Sequence, residues 1–461
     1  MHFSTEGLAA PLGSGNHYWL ACAIFVVTFA LIVSEKVHKT KVALAGAALT
    51  LVLSILSQEE AFHSLHVGID YSVIFLLISM MVIINVMGKS GIFEWTAVRL
   101  AKIAKGRPLP ILILFVLLTA VFSALLDNVT TVLLLAPVTL LIADELNLDP
   151  FPFLIGLALA SNIGGTATLI GDPPNLMIAS RAHLGFMDFI VHLAPVVVVI
   201  LAVFVAIIWV LYRGKMKVDE ERRQHILGMN EDKLIKDPKL VKQSLVVLTI
   251  VTFGFLSHGW THIEPATVAL FGAALLLLIT DFHPHKVLAE VEWPTIFFFM
   301  GLYIVVGGVV KVGMVNDLSQ LVIRWTHPTE SSMLTTSMVI LWFSGFFSAF
   351  IDNIPYVATM APLVGDMAGA VFHDGGLSLH QLPQETLHHP VLLPVWWALA
   401  LGSCLGGNGT AIGASANVVV LGIAERSGKK ISFLKFMAYG MPVMVISLLI
   451  SMVYLYLRYY W

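Results

Sequence analysis

The chain has 461 residues, a formal net charge of -3, 58% hydrophobic and only 12% charged residues, and a mean hydropathy of +0.88. So little polar surface cannot solvate a globule of this length, which excludes a soluble domain and makes lipid the natural solvent. Apolar stretches close to the roughly 20 residues needed to cross a bilayer recur from end to end, so the hydrophobicity is not one anchor on a soluble body.

In chain order, the first apolar run begins near Tyr18 and ends at Glu35. It has no basic stretch before it and no small-residue cleavage site after it, so it reads as a retained helix rather than a signal peptide. Helices are expected at 18-34, 42-57, 71-88, 109-126, 128-143, 152-180 (interrupted) and 189-212. After a polar segment they continue at 243-258, 265-280, 293-310, 333-350, 353-371, 391-424 (interrupted) and 434-457. The polar segment, Arg213 to Lys242, carries nine Lys/Arg against six Asp/Glu, which by the positive-inside rule makes it cytoplasmic. Cys22 and Cys404 lie far apart in apolar segments, which argues against a disulfide framework or a cysteine metal site. His283, His285, His388 and His389 fall in loops without ligand spacing, so neither a metal nor a cofactor is expected.

The two sides of the polar segment resemble each other. Residues 70 to 91 match 292 to 313, with Asp70 over Glu292, Lys89 over Lys311 and Gly91 over Gly313. FSALLDNVTTVLLLAPV at 122 to 138 matches FSAFIDNIPYVATMAPL at 347 to 363, setting Asp127-Asn128 over Asp352-Asn353. ALASNIGGTATLIGDPPN at 158 to 175 matches ALGSCLGGNGTAIGASAN at 400 to 417. Three blocks in one order imply duplication: a first repeat over 1-212, a cytoplasmic basic linker over 213-242 and a second repeat over 243-461.

Charge then distinguishes parallel from inverted copies. The loop after the first helix holds Lys36, Lys39 and Lys41, whereas its counterpart around His258 to Glu264 holds no Lys or Arg. Residues 89 to 107 carry five basic residues and 311 to 329 only Lys311 and Arg324. The copies are therefore expected to be inverted, with the N-terminus outside. Lys89 and Lys311 lie near helix ends, where they can snorkel to the interface.

Gly164-Gly165 to Gly171 with Pro173-Pro174 cannot continue a helix, and Gly406-Gly407, Gly409 and Gly413 repeat the break. Unwound backbone at membrane depth is tolerated only where protein or a wet cavity surrounds it, and paired breaks point to a transporter binding site. The polar residues there are mostly neutral: Ser161, Asn162, Gly165, Thr166, Thr168 and Asn175 in one copy, with Ser403, Gly407, Asn408, Thr410 and Asn417 in the other. With free backbone groups they can replace the hydration of a small solute or an ion; small residues in a close helix contact are the alternative. Acids at this depth are costly. Asp127-Asn128 and Asp352-Asn353 sit at two related turns and either cap helices or bind a cation or proton. Asp172 lies inside the first break, where its counterpart is Ala414, and is the expected coupling site; the alternative is a cap on the half-helix that begins at Pro173. Asp70 and Glu292 read as solvated caps. Cys404 reads as a small apolar residue, with coordination of a thiophilic metalloid as the alternative.

These blocks resemble the ion transporter superfamily that contains the arsenite permease ArsB, the sodium/proton antiporter NhaD and the pigmentation P protein, and the resemblance covers essentially the whole chain. It implies an all-α polytopic membrane protein of two inverted-topology repeats, each with a re-entrant hairpin and a broken transmembrane helix. By this resemblance a moving part, 109-212 with 331-461, slides against a scaffold, 1-108 with 243-330. The activity implied is secondary transport, not an enzyme reaction. Proton-coupled efflux of arsenite and antimonite across the inner membrane is the leading reading, because a pocket of amides and hydroxyls without buried cations suits a small neutral hydroxylated solute. Sodium/proton antiport is the chief rival, and uptake of an inorganic or carboxylate anion the third. The expected partners are the solute with protons or sodium, membrane lipid and an arsenite-stimulated ATPase, but no nucleic acid.

Overall fold

The computed structural model describes residues 16–34, 36–64, 67–326, 333–372 and 383–461. The end of the first apolar run at Glu35 and the boundary at 331 lie outside them. Every regular element among the described residues is helical. The first half contains α1 Asn16–Ser34, α2 Lys39–Val52, α3 Gln58–His63, α4 Tyr71–Gly88, α5 Ile92–Ile103, α6 Pro108–Leu125, α7 Asn128–Glu145, α8 Phe151–Gly165, α9 Pro173–Ala182 and α10 Phe186–Tyr212. The connecting segment holds α11 Glu220–Gly228 and a 3-10 turn, Glu231–Leu234. The second half contains α12 Pro238–Leu256, α13 His258–Thr261, α14 Pro265–Ile279, α15 Pro284–Leu288, α16 Trp293–Lys311, α17 Met314–Thr326, α18 Met333–Phe350, α19 Asn353–Phe372, α20 Gln384–Leu387, α21 Leu393–Gly406, α22 Ser415–Arg426 and α23 Phe433–Tyr459.

Among the described residues, eight helices are long and apolar enough to cross a membrane: α4, α6, α7, α10, α12, α16, α18 and α23. Shorter apolar segments at 16–32, 151–165, 265–279 and 393–406 add to them. Burial separates centre from periphery: 67% of α4 and of α16 is buried, against 28% of α12. Phe253 on α12, Val210 on α10 and Leu278 on α14 project outward, a pattern that suits lipid as the surrounding solvent and would be costly in water.

The two halves interlock rather than lie side by side. α2 of the first half packs along α16 of the second, and α14 of the second along α4 of the first. The other extensive contacts are equivalent in the two halves, α6 against α8 and α18 against α21. Glycine makes these close: a Cβ on Gly164 would lie 2.1 Å from the Ala120 carbonyl oxygen of α6, and one on Gly406 2.6 Å from the Gly345 oxygen of α18.

Sequence periodicity did not separate out α5 and α17, which lie just after α4 and α16 in regions read above only for their charge. The connecting segment is also ordered. Glu231 accepts hydrogen bonds from Arg99 Nη1 at 2.9 Å and from Lys102 Nζ, and Lys236 N donates to Ser90 O at 2.9 Å. This clasps the segment to α5, and the hydrogen bond from Lys102 holds the Glu231 carboxyl down at about 2.

Candidate functional site

Both expected interruptions are present. α8 stops at Gly165 and α9 begins at Pro173, while α21 stops at Gly406 and α22 begins at Ser415. Each lies against the tip of a helical hairpin, α6–α7 turning at Leu126-Asp127 and α18–α19 at Ile351-Asp352. The two breaks touch: Asn162 Nδ2 donates to Asn408 Oδ1 at 3.0 Å and to Asn417 Oδ1 at 3.1 Å. Gly165, Gly407 and every polar residue assigned above to the solute site are buried. They therefore come together in one place at the contact between the halves.

The same hydrogen bonds recur at matching positions. Ser123 Oγ donates to Ser161 O and Ser348 Oγ to Ser403 O, both at 2.6 Å. Thr168 Oγ1 donates to Ala124 O at 2.6 Å, and Thr410 Oγ1 to Ala349 O. Asn175 Nδ2 reaches Thr168 O at 2.9 Å and Thr166 O at 3.3 Å, while Asn417 Nδ2 reaches Gly407 O at 2.8 Å and Thr410 O at 2.9 Å. Thr166, Ser161 and Ser403 return their hydroxyls to carbonyls of their own helix. These hydroxyls thus satisfy backbone groups that the breaks leave open, which is what unwound backbone in an apolar interior demands. The remaining polar groups, the amides of Asn128, Asn162, Asn353 and Asn408, the oxygens of Asn175 and Asn417, and Asp172, bond largely to one another.

Asp172 is fully buried. It stands at the cap position of α9, yet its side chain makes no cap hydrogen bond, so the capping alternative is not what this structure contains. Its carboxylate instead accepts from Asn128 Nδ2 at 3.2 Å and from Asn353 Nδ2 at 3.2 Å on both oxygens. One acid from a break is thereby held by an amide from each hairpin tip, and no cation pairs with it among the described residues. Asn128 Nδ2 also donates to Asn162 Oδ1 at 3.0 Å, while its Oδ1 is buried without a partner. An orphaned acceptor of this kind costs about 1–3 kcal/mol. Cys404 donates its thiol to Asn175 Oδ1 at 3.4 Å, so it belongs to this network and is not only apolar filling.

The two hairpin acids differ. Asp127 caps α7, accepting from Thr130 N at 2.8 Å and from Thr130 Oγ1 at 2.5 Å. Asp352 accepts from Ile354 N at 3.1 Å, from Ser415 Oγ at 2.8 Å and from Lys39 Nζ at 2.8 Å. Lys39 is not legible in the sequence as a site residue: after a helix end it reads as a loop charge, whereas it opens α2 and reaches a cavity beside the break. Ser123 and Ser348 were also missed, although both occupy the same place in the repeated FSA motif. The outer caps behave as expected for Asp70, which accepts from Ser72 N at 3.0 Å and also binds Ser180 Oγ. Glu292 makes no cap hydrogen bond and lines the cavity.

That cavity has a volume of about 360 Å³, in the range of small-ligand sites, and lies between α2 and α16 on one side and the hairpin tips and half-helices on the other. Its wall includes Asp127, Asp352, Glu292, Lys39, Ser415 and Pro173, the neighbour of Asp172. One lysine therefore faces three carboxylates.

Membrane-spanning helices, two of them interrupted where buried amides and one acid converge, describe a membrane transporter. Residues 29–402 match the citrate transporter family CitMHS, and the chain belongs to that family. It is 46% identical over 441 residues to an uncharacterized transporter of Mycobacterium tuberculosis, covering 96% of this chain and 98% of that one. It is 46% identical over 440 residues to a 46 kDa membrane protein of Mycobacterium leprae, covering 95% and 98%. Identity to the P protein of Homo sapiens is 32% over 512 residues, 95% of this chain and 59% of that protein. The P protein kinship agrees with the superfamily that the sequence blocks resemble, and within it the family matched is CitMHS. The protein is a multi-pass membrane transporter.

Proposed function

We propose that the protein is a secondary active transporter that exchanges a monovalent cation, sodium, for protons at Asp172. The carrying observation is the isolation of that carboxylate: fully buried, touched by neutral amides and paired with no cation among the described residues. A charged carboxylate so placed is opposed by several kcal/mol of desolvation, so a mobile proton or cation is needed to neutralise it. The lone Oδ1 of Asn128 offers an oxygen ligand beside it, and hard cations are held by such carboxylate and amide oxygens. The cavity supports the same sign of cargo. Two like charges about 4 Å apart repel by roughly 4 kcal/mol near a protein surface, so three carboxylates against one lysine disfavour a bare multiply charged anion such as free citrate.

Arsenite efflux is the second reading. It is favoured by the neutral amides of the contact between the breaks and by the Cys404 thiol within that network. In either reading the two repeats are inverted, 109-212 with 331-461 moves against 1-108 with 243-330, and the linker is cytoplasmic in the inner membrane.

Proteoliposomes holding a pH-sensitive dye test this. A sodium pulse should move protons, and Asp172→Asn should abolish the movement while the protein still reconstitutes. Proton flux driven by arsenite and not by sodium would replace the first reading by the second. Flux from neither in the wild type would overturn both.

A further inference from the structure

The second hairpin acid carries a tethered cation, and the first carries none among the described residues. Lys39 Nζ lies 2.8 Å from Asp352 Oδ2 and donates to Ser415 Oγ at 2.7 Å, while Ser415 Oγ donates to Asp352 Oδ2 at 2.8 Å. The three groups close a ring in which each proton has one acceptor. The ammonium also sits 4.8 Å from the centroid of the Phe298 ring of α16, whose negative face attracts a cation. At the matching place in the first half, Asp127 binds only Thr130 among the described residues, and the residue aligned with Ser415 is Pro173, which has no hydroxyl. Each carboxylate thus accepts a hydroxyl, Asp127 from Thr130 and Asp352 from Ser415, and among the described residues only the second is supplemented by a cation and an aromatic face.

Lys39 comes from a different element than its ligands. It opens α2, whereas Asp352 precedes α19 and Ser415 opens α22. The ion pair is partly buried, with 11% of the Asp352 side chain exposed, and it borders the cavity, so a small ion from that cavity could reach the same oxygens if the lysine withdrew.

We infer that Asp352 and Ser415 form a monovalent-cation site, and that Lys39 is its built-in occupant in the conformation seen here. An ammonium group and a hydrated alkali or alkylammonium ion make the same demand, one positive charge met by carboxylate and hydroxyl oxygens. Resting on the proposed exchange at Asp172, this means that only one of the two acids aligned around the cavity is free for mobile cations while Lys39 is seated. It also assigns a cost to motion. Separating the α18–α19 hairpin from α2 strips Asp352 of its partner, and a mobile cation or proton must then replace it.

The test uses the purified full chain in detergent at one pH. Unfolding temperatures of the wild type, Lys39→Ala and Lys39→Ala/Asp352→Asn are compared in choline, sodium and ethylammonium chloride at equal ionic strength. Ethylammonium is the probe, because it restores the ammonium group that the alanine removes. Lys39→Ala should unfold several degrees below the wild type in choline, and ethylammonium should raise it saturably by several degrees. Sodium should act in the same direction, and Lys39→Ala/Asp352→Asn should lose both responses. Equal behaviour of Lys39→Ala in all three salts would overturn the inference, as would a double variant responding like the single one. If Lys39→Ala does not fold, Lys39→Gln undergoes the same comparison. Any sodium effect through Asp172 is common to all three proteins and cancels in the difference between single and double variants. Failure of sodium/proton exchange would therefore leave the ethylammonium result readable.

Discussion

At the scale of the residue, the polar side chains at the breaks divide into two groups with different work. Thr168 and Thr410 donate to the backbone of the neighbouring hairpins, so they hold the breaks in place. Asn128 and Asn353 donate to Asp172, so they set the environment of the charge. The division predicts two separable phenotypes. Asn353→Ala removes donors to a charged group, a loss of about 1.5–3 kcal/mol borne by the free carboxylate, and should strengthen apparent affinity for the ion that neutralises it by ten-fold or more in flux assays. Thr168→Val should leave that affinity within about two-fold while lowering the unfolding temperature, since a neutral hydrogen bond contributes about 1 kcal/mol. Residue types alone do not reveal this. Serine, threonine and asparagine were legible as candidates because they occur in breaks, yet whether a hydroxyl faces a solute or a carbonyl depends on which backbone lies beside it. The same limit hid Lys39, because a lysine after a helix end looks like any other interfacial charge until α2 is seen to run beside the second hairpin tip.

At the scale of the element, the interrupted helices follow from their glycines and prolines, and the structure shows what the glycines serve. Gly164 and Gly406 do not adopt left-handed backbone; they let α8 approach α6, and α21 approach α18, to backbone contact. Of the two sequence readings of these glycines, close packing and solute binding, the structure shows the packing, and the same glycines end the helices whose amides then meet. Gly164→Ala is expected to lower stability by about 1–3 kcal/mol through overpacking, measured as a reduced unfolding temperature. Gly228, with open space around it and no left-handed backbone, serves as the control and should tolerate alanine with little change. Prolines at matched places, Pro137 in α7 and Pro362 in α19, were part of the repeated blocks and lie inside the helices, where each removes one backbone donor. The hairpins were legible as helix, turn and helix from the Asp-Asn pairs. The short amphipathic α5 was not, because its 12 residues adjoin a long apolar run that masks its period.

At the scale of the whole molecule, the halves are joined by interlocked helices and by the clasp between Glu231 and α5. Glu231 has its carboxyl lowered to about 2, chiefly by the Lys102 hydrogen bond. A carboxyl depressed on folding stabilises the clasp above its unfolded value of 4.5, and that contribution disappears as pH falls through the folded value. A spin label on Lys233→Cys should accordingly stay immobilised from neutral pH down to about 4.5 and become mobile as pH approaches 2. In the Glu231→Gln background the label should be mobile throughout. A label indifferent to both changes would show that the clasp does not order the segment.

The sequence by itself determined that the chain lives in lipid, that it is helical, where two helices break and which acids stand near the breaks. Each of these follows from local quantities: apolar length, glycine and proline content, and the rarity of charge at membrane depth. Tertiary structure decided which of those groups face one another. Asp172 meets Asn353 across 181 residues and Asn162 meets Asn417 across 255; Lys39 meets Asp352 across 313. Such pairings depend on how α2 and α16 pack and on how the hairpin tips enter the opposite half. The repeated blocks announce that two similar sites exist. Only the packing of one half into the other supplies a cation to Asp352 and, among the described residues, none to Asp127 or Asp172.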